Sequence, residues 1–161
     1  MPTQRILFTG GAVLCAVLIA VALYFQHVMG LEPCPLCIFQ RMFVMALGVL
    51  LVIGVIHNPA PGWRRAYGAG VSVLAVLGIV VAGRHVRLQN LPEDQVPECG
   101  PGLEFMLEAL PFQKMLETVL KGSGECAEVL WTLFGISMPG WSLIWLVLLT
   151  LLALVITFRR R

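Results

Sequence analysis

The chain has 161 residues, 58% of them hydrophobic and only 12% charged, with a formal net charge of +2 and a mean hydropathy of +0.88. Soluble domains sit nearer half apolar and a quarter charged, so this balance excludes an ordinary water-soluble domain and points to a bilayer. No nucleic-acid partner is expected.

Four apolar segments approach the ~20 residues needed to cross a hydrocarbon core of about 30 Å. They are residues 6–28, 38–56, 66–83 and 141–158. The first follows Arg5, but its apolar run is too long for a signal peptide and no small-x-small cleavage site follows it, so it reads as a retained span. A short loop, 29–37, then carries Cys34-Pro35-Leu36-Cys37, and the second span holds Arg41 near its start. The turn from His57 to Trp63 is broken by proline and glycine and leads into Arg64-Arg65. Gly68, Gly70, Ser72 and Gly78 make the third span the least apolar, and such small residues let helix backbones approach closely.

The second outer loop, 84–140, is the exception to these short connections, and a loop of that length in a small protein is usually functional. Its stretch Leu103 to Leu120, interrupted by Pro111, reads as one or two short amphipathic helices. They lie on the membrane surface or cap the bundle. The runs Pro97 to Gly102 and Gly122-Ser123-Gly124 bracket it as hinges, which puts Cys99 and Cys126 on flexible backbone. The expected fold is an all-α membrane protein: one domain over 1–161, without internal repeats, forming a four-transmembrane-helix bundle with a long, partly helical second outer loop.

Charge sets the orientation. With both termini cytoplasmic, that side holds Arg5, Arg64, Arg65, Arg159, Arg160 and Arg161, and the other side holds all nine acidic residues. The Lys and Arg count near the spans favours this arrangement modestly. Cys34, Cys37, Cys99 and Cys126 then all face outward. In a bacterial inner membrane that is the periplasm, where disulfides persist. Cys15 lies within a span and reads as a small buried hydrophobe.

Cys34 and Cys37 stand at the start of the second span, where exposed N–H groups and the helix dipole stabilise a thiolate. Pro35 suits the first helical turn, which favours Cys37 as that thiolate. Arg41 lies one turn on, keeps its charge, and is costly inside an apolar span, so it is a functional candidate. Zinc would need two further ligands, and no second C-x-x-C or histidine pair supplies them, so no metal is expected. The absence of His after Cys37 argues against covalent haem. Cys99 and Cys126 taken alone are ambiguous between a loop staple and an exchangeable bond. His85, between Arg84 and Arg87, reads on its own as a solvated helix-end residue or as a hydrogen-bond donor to a carbonyl ligand.

Cys34-Pro35-Leu36-Cys37-Ile38-Phe39-Gln40-Arg41 matches the C-x-x-C-I-[FY]-x-R motif of the DsbB family. Gly124-Glu125-Cys126-Ala127-Glu128, Met138-Pro139-x-Trp141 and His85 with Leu88-Gln89 are similar to that family's other signature stretches. The resemblance covers nearly the whole chain. It implies a quinone-linked enzyme that reoxidises a DsbA-like periplasmic partner of thioredoxin fold. Cys99 would take the partner's mixed disulfide, and electrons would pass through a Cys34–Cys126 bond to Cys34 and Cys37. Cys37 would deliver them to a membrane ubiquinone or menaquinone, with Arg41 and His85 beside its carbonyls. A vitamin-K-epoxide-reductase-like protein would carry its C-x-x-C near the end of a late span, so motif order disfavours it. A purely structural bundle would leave Arg41 without a purpose.

Overall fold

The computed structural model describes residues 2–97, 105, 108 and 110–158. Four of its helices are long and apolar enough to cross a membrane. They are α1 (Pro2–His27), α2 (Pro35–His57), α3 (Pro61–Gln89) and, last in the chain, α6 (Met138–Phe158). Proline opens or nearly opens each of the first three, where its missing N–H costs nothing. The end of α2 is Asn58, with φ of 44° and its N–H bonded to Gly54 O, a left-handed cap that asparagine tolerates.

All four helices are longer than the spans expected from hydropathy, α3 by the most. Its 29 residues span about 43 Å at 1.5 Å per residue, well beyond a hydrocarbon core of about 30 Å. The extension carries Arg84 to Gln89, so the basic residues read as loop are helical. Hydropathy stops at the first charge, whereas the backbone hydrogen-bond ladder continues past it.

Helix α3 packs against both α2 and α6, and α2 also packs against α1, whereas α1 and α6 touch only lightly. Small residues set the close approaches. A Cβ at Gly68 would run into Thr157 of α6, and one at Gly54 into the ring of Phe8. Cys15 lies in the bundle core with Val44, Leu47 and Leu149, as a small hydrophobe should.

The long connection is folded onto one end of the bundle. After a 3-10 turn at Glu93–Gln95, its described part forms α4 (Phe112–Lys121), α5 (Gly124–Ala127) and a hairpin of β1 (Thr132–Leu133) with β2 (Ile136–Ser137). Helix α4 begins directly after Pro111 and buries Met115 and Val119. It forms the second part of the amphipathic stretch expected there; residues 103, 104, 106, 107 and 109 lie outside the described ones. The hairpin was not expected. It turns through Phe134 and Gly135, both with positive φ (53° and 76°), the backbone of a two-residue turn matched to strand twist.

One expectation is overturned. Gly122-Ser123-Gly124 is a packed elbow, not a hinge. Gly122, at φ of 86°, caps α4 with its N–H on Thr118 and Val119 carbonyls, its Cα against Leu88. Gly124 and Cys126 beyond it are buried. Cys126 therefore sits on fixed backbone. Glycine here serves a positive φ and a close contact, both of which resemble flexibility when only composition is read.

Candidate active site

Local sequence builds the dithiol. Cys34 is the N-cap of α2, its extended backbone (φ −66°, ψ 163°) turning into the helix at Pro35. Cys37 lies in the first turn, and its N–H donates to Cys34 Sγ at 3.4 Å. The two sulfurs are 3.0 Å apart, with the Cys34 thiol donating to Cys37. Proline between them leaves one fewer N–H to satisfy, and the N-cap role normally taken by a serine oxygen falls to sulfur.

His85 reaches the pair from α3. It is 2% exposed, with Nε2 3.8 Å from Cys34 Sγ and Nδ1 4.0 Å from Cys37 Sγ. Gln40, one turn after Cys37, donates from Nε2 to His85 Nδ1 at 3.0 Å. With Nδ1 accepting, the ring proton resides on Nε2, facing Cys34. The solvated helix-end reading of His85 is thus replaced by a buried one.

Cys126 approaches from the other side. Helix α5 packs on α3, and the cysteine is fully buried in a cluster with Cys34, Leu36 and Leu88. Its thiol shares a hydrogen bond with Cys34, which together with burial pushes it well above the usual cysteine range. Ser123 Oγ lies 3.7 Å from the same sulfur. Two cysteines from separate loops, far apart in sequence, therefore meet. Cys99 lies outside the described residues.

Cys37 also faces a cavity of about 420 Å³ lined by α1, α2, α6 and the hairpin segment. Phe25, Trp131, Trp141 and Trp145 supply aromatic wall, and Cys37, Gln40 and Arg41 the polar part. The guanidinium of Arg41 donates to the Gln26 side chain and to Ala22 O at 3.1 Å, both on α1. The Trp131 ring packs at 4.8 Å against that of Phe25, tilted by 56°, and Trp141 Nε1 donates to Leu133 O at 3.2 Å. These contacts tie the hairpin to α1 and α6 beside the cavity. His85 is not on the cavity wall; it stands behind the dithiol.

The family model described as Disulfide bond formation protein DsbB matches residues 4–156. The chain belongs to the DsbB family. Among relatives named Disulfide bond formation protein B, that of Marinobacter nauticus is 48% identical over 158 residues, covering 98% of this chain and 94% of the relative. The protein of Acinetobacter baumannii is 53% identical over 141 residues, 86% of this chain and 81% of its own. That of Nitrosococcus oceani is 49% identical over 140 residues, 87% and 83% of the two chains. This DsbB-family chain is a multi-pass membrane protein with four spanning-length helices.

Sequence reasoning singled out Cys34, Cys37, Arg41, His85, Cys99 and Cys126; Cys99 lies outside the described residues, and the other five lie together at one end of the bundle. It passed over Gln40, which holds His85, and Gln26, which holds Arg41. Gln40 carried a signal: an amide within an apolar span, like a charge, is a functional candidate. Gln26 gave none, because it sits at a span's end where polar residues are ordinary.

Proposed function

We propose that this disulfide-forming oxidoreductase reoxidises a DsbA-like periplasmic thioredoxin-fold partner and delivers the electrons to a membrane quinone, ubiquinone or menaquinone. It does so from a bacterial inner membrane, with both termini cytoplasmic. The observation that carries this reading is the two-sided dithiol. Cys34 meets Cys126 on one side, and Cys37 opens on an apolar cavity beside Arg41 on the other.

The cavity suits a quinone head group. Its ~420 Å³ volume is within the usual range for small-molecule sites, about 300–1,000 Å³, with an apolar wall and few polar groups. A bound quinone supplies a two-electron, two-proton acceptor. The Arg41 guanidinium, fixed by Gln26 and Ala22, places a permanent positive charge where negative charge develops on a carbonyl oxygen. Cys37 Sγ is the atom from which electrons leave.

The exchange steps balance as thiol–disulfide chemistry. A partner thiolate attacks Cys99 of a Cys99–Cys126 disulfide, forming a mixed disulfide and releasing Cys126. Cys126 attacks Cys34 of the Cys34–Cys37 disulfide, so Cys34–Cys126 forms and Cys37 leaves as thiolate. The partner's second thiol breaks the mixed disulfide, and the oxidised partner departs. Cys99 then attacks Cys126, restoring the loop disulfide and leaving Cys34 and Cys37 reduced. His85 Nε2–H, 3.8 Å from Cys34 Sγ, hydrogen-bonds the sulfur as it gains charge.

Purified protein with quinone is expected to oxidise a reduced thioredoxin-fold partner. Cys37→Ser should reduce no quinone, and Cys99→Ser should not turn over with partner. Quinone reduction at the normal rate by Cys37→Ser would remove Cys37 as the electron exit. Anaerobic titration with ubiquinone and menaquinone identifies the acceptor.

A further inference from the structure

A lone C-x-x-C supplies half of a tetrahedral ligand set, which is why the sequence predicts no metal. Folding removes that premise. Cys34 Sγ, Cys37 Sγ and a ring nitrogen of His85 all lie within 4.8 Å of one another. The Cys34 Sγ to His85 Nε2 distance is 3.8 Å and the sulfurs are 3.0 Å apart. Two sulfurs on one tetrahedral Zn²⁺ at about 2.3 Å sit roughly 3.8 Å apart. The nitrogen is thus close to its place, and the sulfurs need only part slightly.

The surroundings favour such an ion. Two thiolates cancel a divalent charge, so the filled site is neutral and tolerates burial. Gln40, 3.0 Å from His85 Nδ1, is the outer partner that metal-binding histidines need. For Nε2 to coordinate, the ring proton moves to Nδ1, and a half-turn of the Gln40 amide presents its oxygen to accept it. Cys37 gives access from the cavity.

We propose that the reduced protein binds a thiophilic d10 cation of the zinc type through Cys34 Sγ, Cys37 Sγ and His85 Nε2. On binding, both thiol protons pass to solvent, two sulfur–metal bonds and one nitrogen–metal bond form, and no electron moves. In the Cys34–Cys37 disulfide neither sulfur is a thiolate, so the site exists only in the reduced state. A filled site takes both thiols out of exchange. Binding does not depend on the quinone relay and is measured without it.

The test uses the full chain in detergent, reduced anaerobically and freed of reductant. Cd²⁺ is titrated while the ultraviolet thiolate-to-cadmium band is followed, and Zn²⁺ is competed against a chromophoric chelator. One ion per chain is expected, with release of both thiol protons and no binding after oxidation of the dithiol. Cys99→Ser should bind as the parent does. Gln40→Leu should lose roughly 10–100-fold in affinity, the usual cost of an outer partner, and His85→Ala at least as much. Equal binding by the oxidised protein, parent-like affinity in His85→Ala, or loss of binding in Cys99→Ser would overturn the proposal. Should His85→Ala fail to fold, Co²⁺ decides on the unaltered protein. An intense tetrahedral thiolate spectrum supports the site, and a pale octahedral one overturns it.

Discussion

At the scale of single residues, the centre divides its work by which side of the dithiol each group touches. Arg41 faces the cavity and is held by two acceptors on α1. Arg41→Leu should lower quinone-linked turnover by roughly 10²-fold, the usual cost of removing a preorganised electrostatic donor. Arg41→Lys should recover only part of this, since an ammonium cannot reproduce the planar fork that reaches both acceptors. Stopped-flow quinone reduction measures both. On the other side, the hydrogen bond with Cys34 and burial keep Cys126 a thiol. A raised pKa means the proton is retained to higher pH, and only the thiolate reacts. In a Cys99→Ser background, alkylation of Cys126 should therefore stay slow through neutral and mildly alkaline solution, rising only at strongly alkaline pH. Cys34→Ala removes the leading cause and should bring the rise to lower pH. A rate profile like that of an exposed cysteine would contradict this.

At the scale of elements, a short helix fixes where Cys126 sits. Helix α4 is anchored by Met115 and Val119 on one face and by Arg84, whose guanidinium donates to the Leu120 and Lys121 carbonyls at 3.2 and 2.9 Å. A cation on the last carbonyls of a helix satisfies orphan acceptors and complements the dipole. Through the Gly122 elbow this anchoring passes to α5. Met115→Ala should cost α4 docking about 2–5 kcal/mol and speed Cys126 alkylation; protection of α4 amides in hydrogen exchange reports the first effect. The amphipathic period announced α4, but Arg84 as its cap was not legible, because a C-terminal acceptor and its donor lie in different helices. The hairpin was missed for a similar reason: two residues per strand are too few to show alternation.

Across the whole molecule, the bundle depends on glycine at helix crossings. Gly68→Leu would push a side chain into Thr157 and Ala153 of α6. It should cost about 1–3 kcal/mol as overpacking, seen as a lower unfolding temperature in detergent. The active end is also broadly apolar outside: Phe134 at the hairpin tip is 87% exposed, and Phe112 72%. Such residues suit a membrane interface better than water. With the proposed orientation, a membrane-impermeant maleimide added outside intact spheroplasts should label Phe134→Cys and leave Asn58→Cys unlabelled. The reverse pattern would invert the topology.

By itself, the sequence determined the membrane class, the four spans and the residue types of the centre. These rest on local properties: hydropathy over one helix length, and a dithiol with arginine on a single helical turn. Tertiary structure decided which groups meet. Cys126, placed by composition on a mobile arm, is buried against Cys34; His85, which reads alone as a helix-end residue, is buried behind the dithiol under Gln40. Proximity between α2, α3 and α5 comes from close packing among helices far apart in the chain. No periodicity within one segment encodes it.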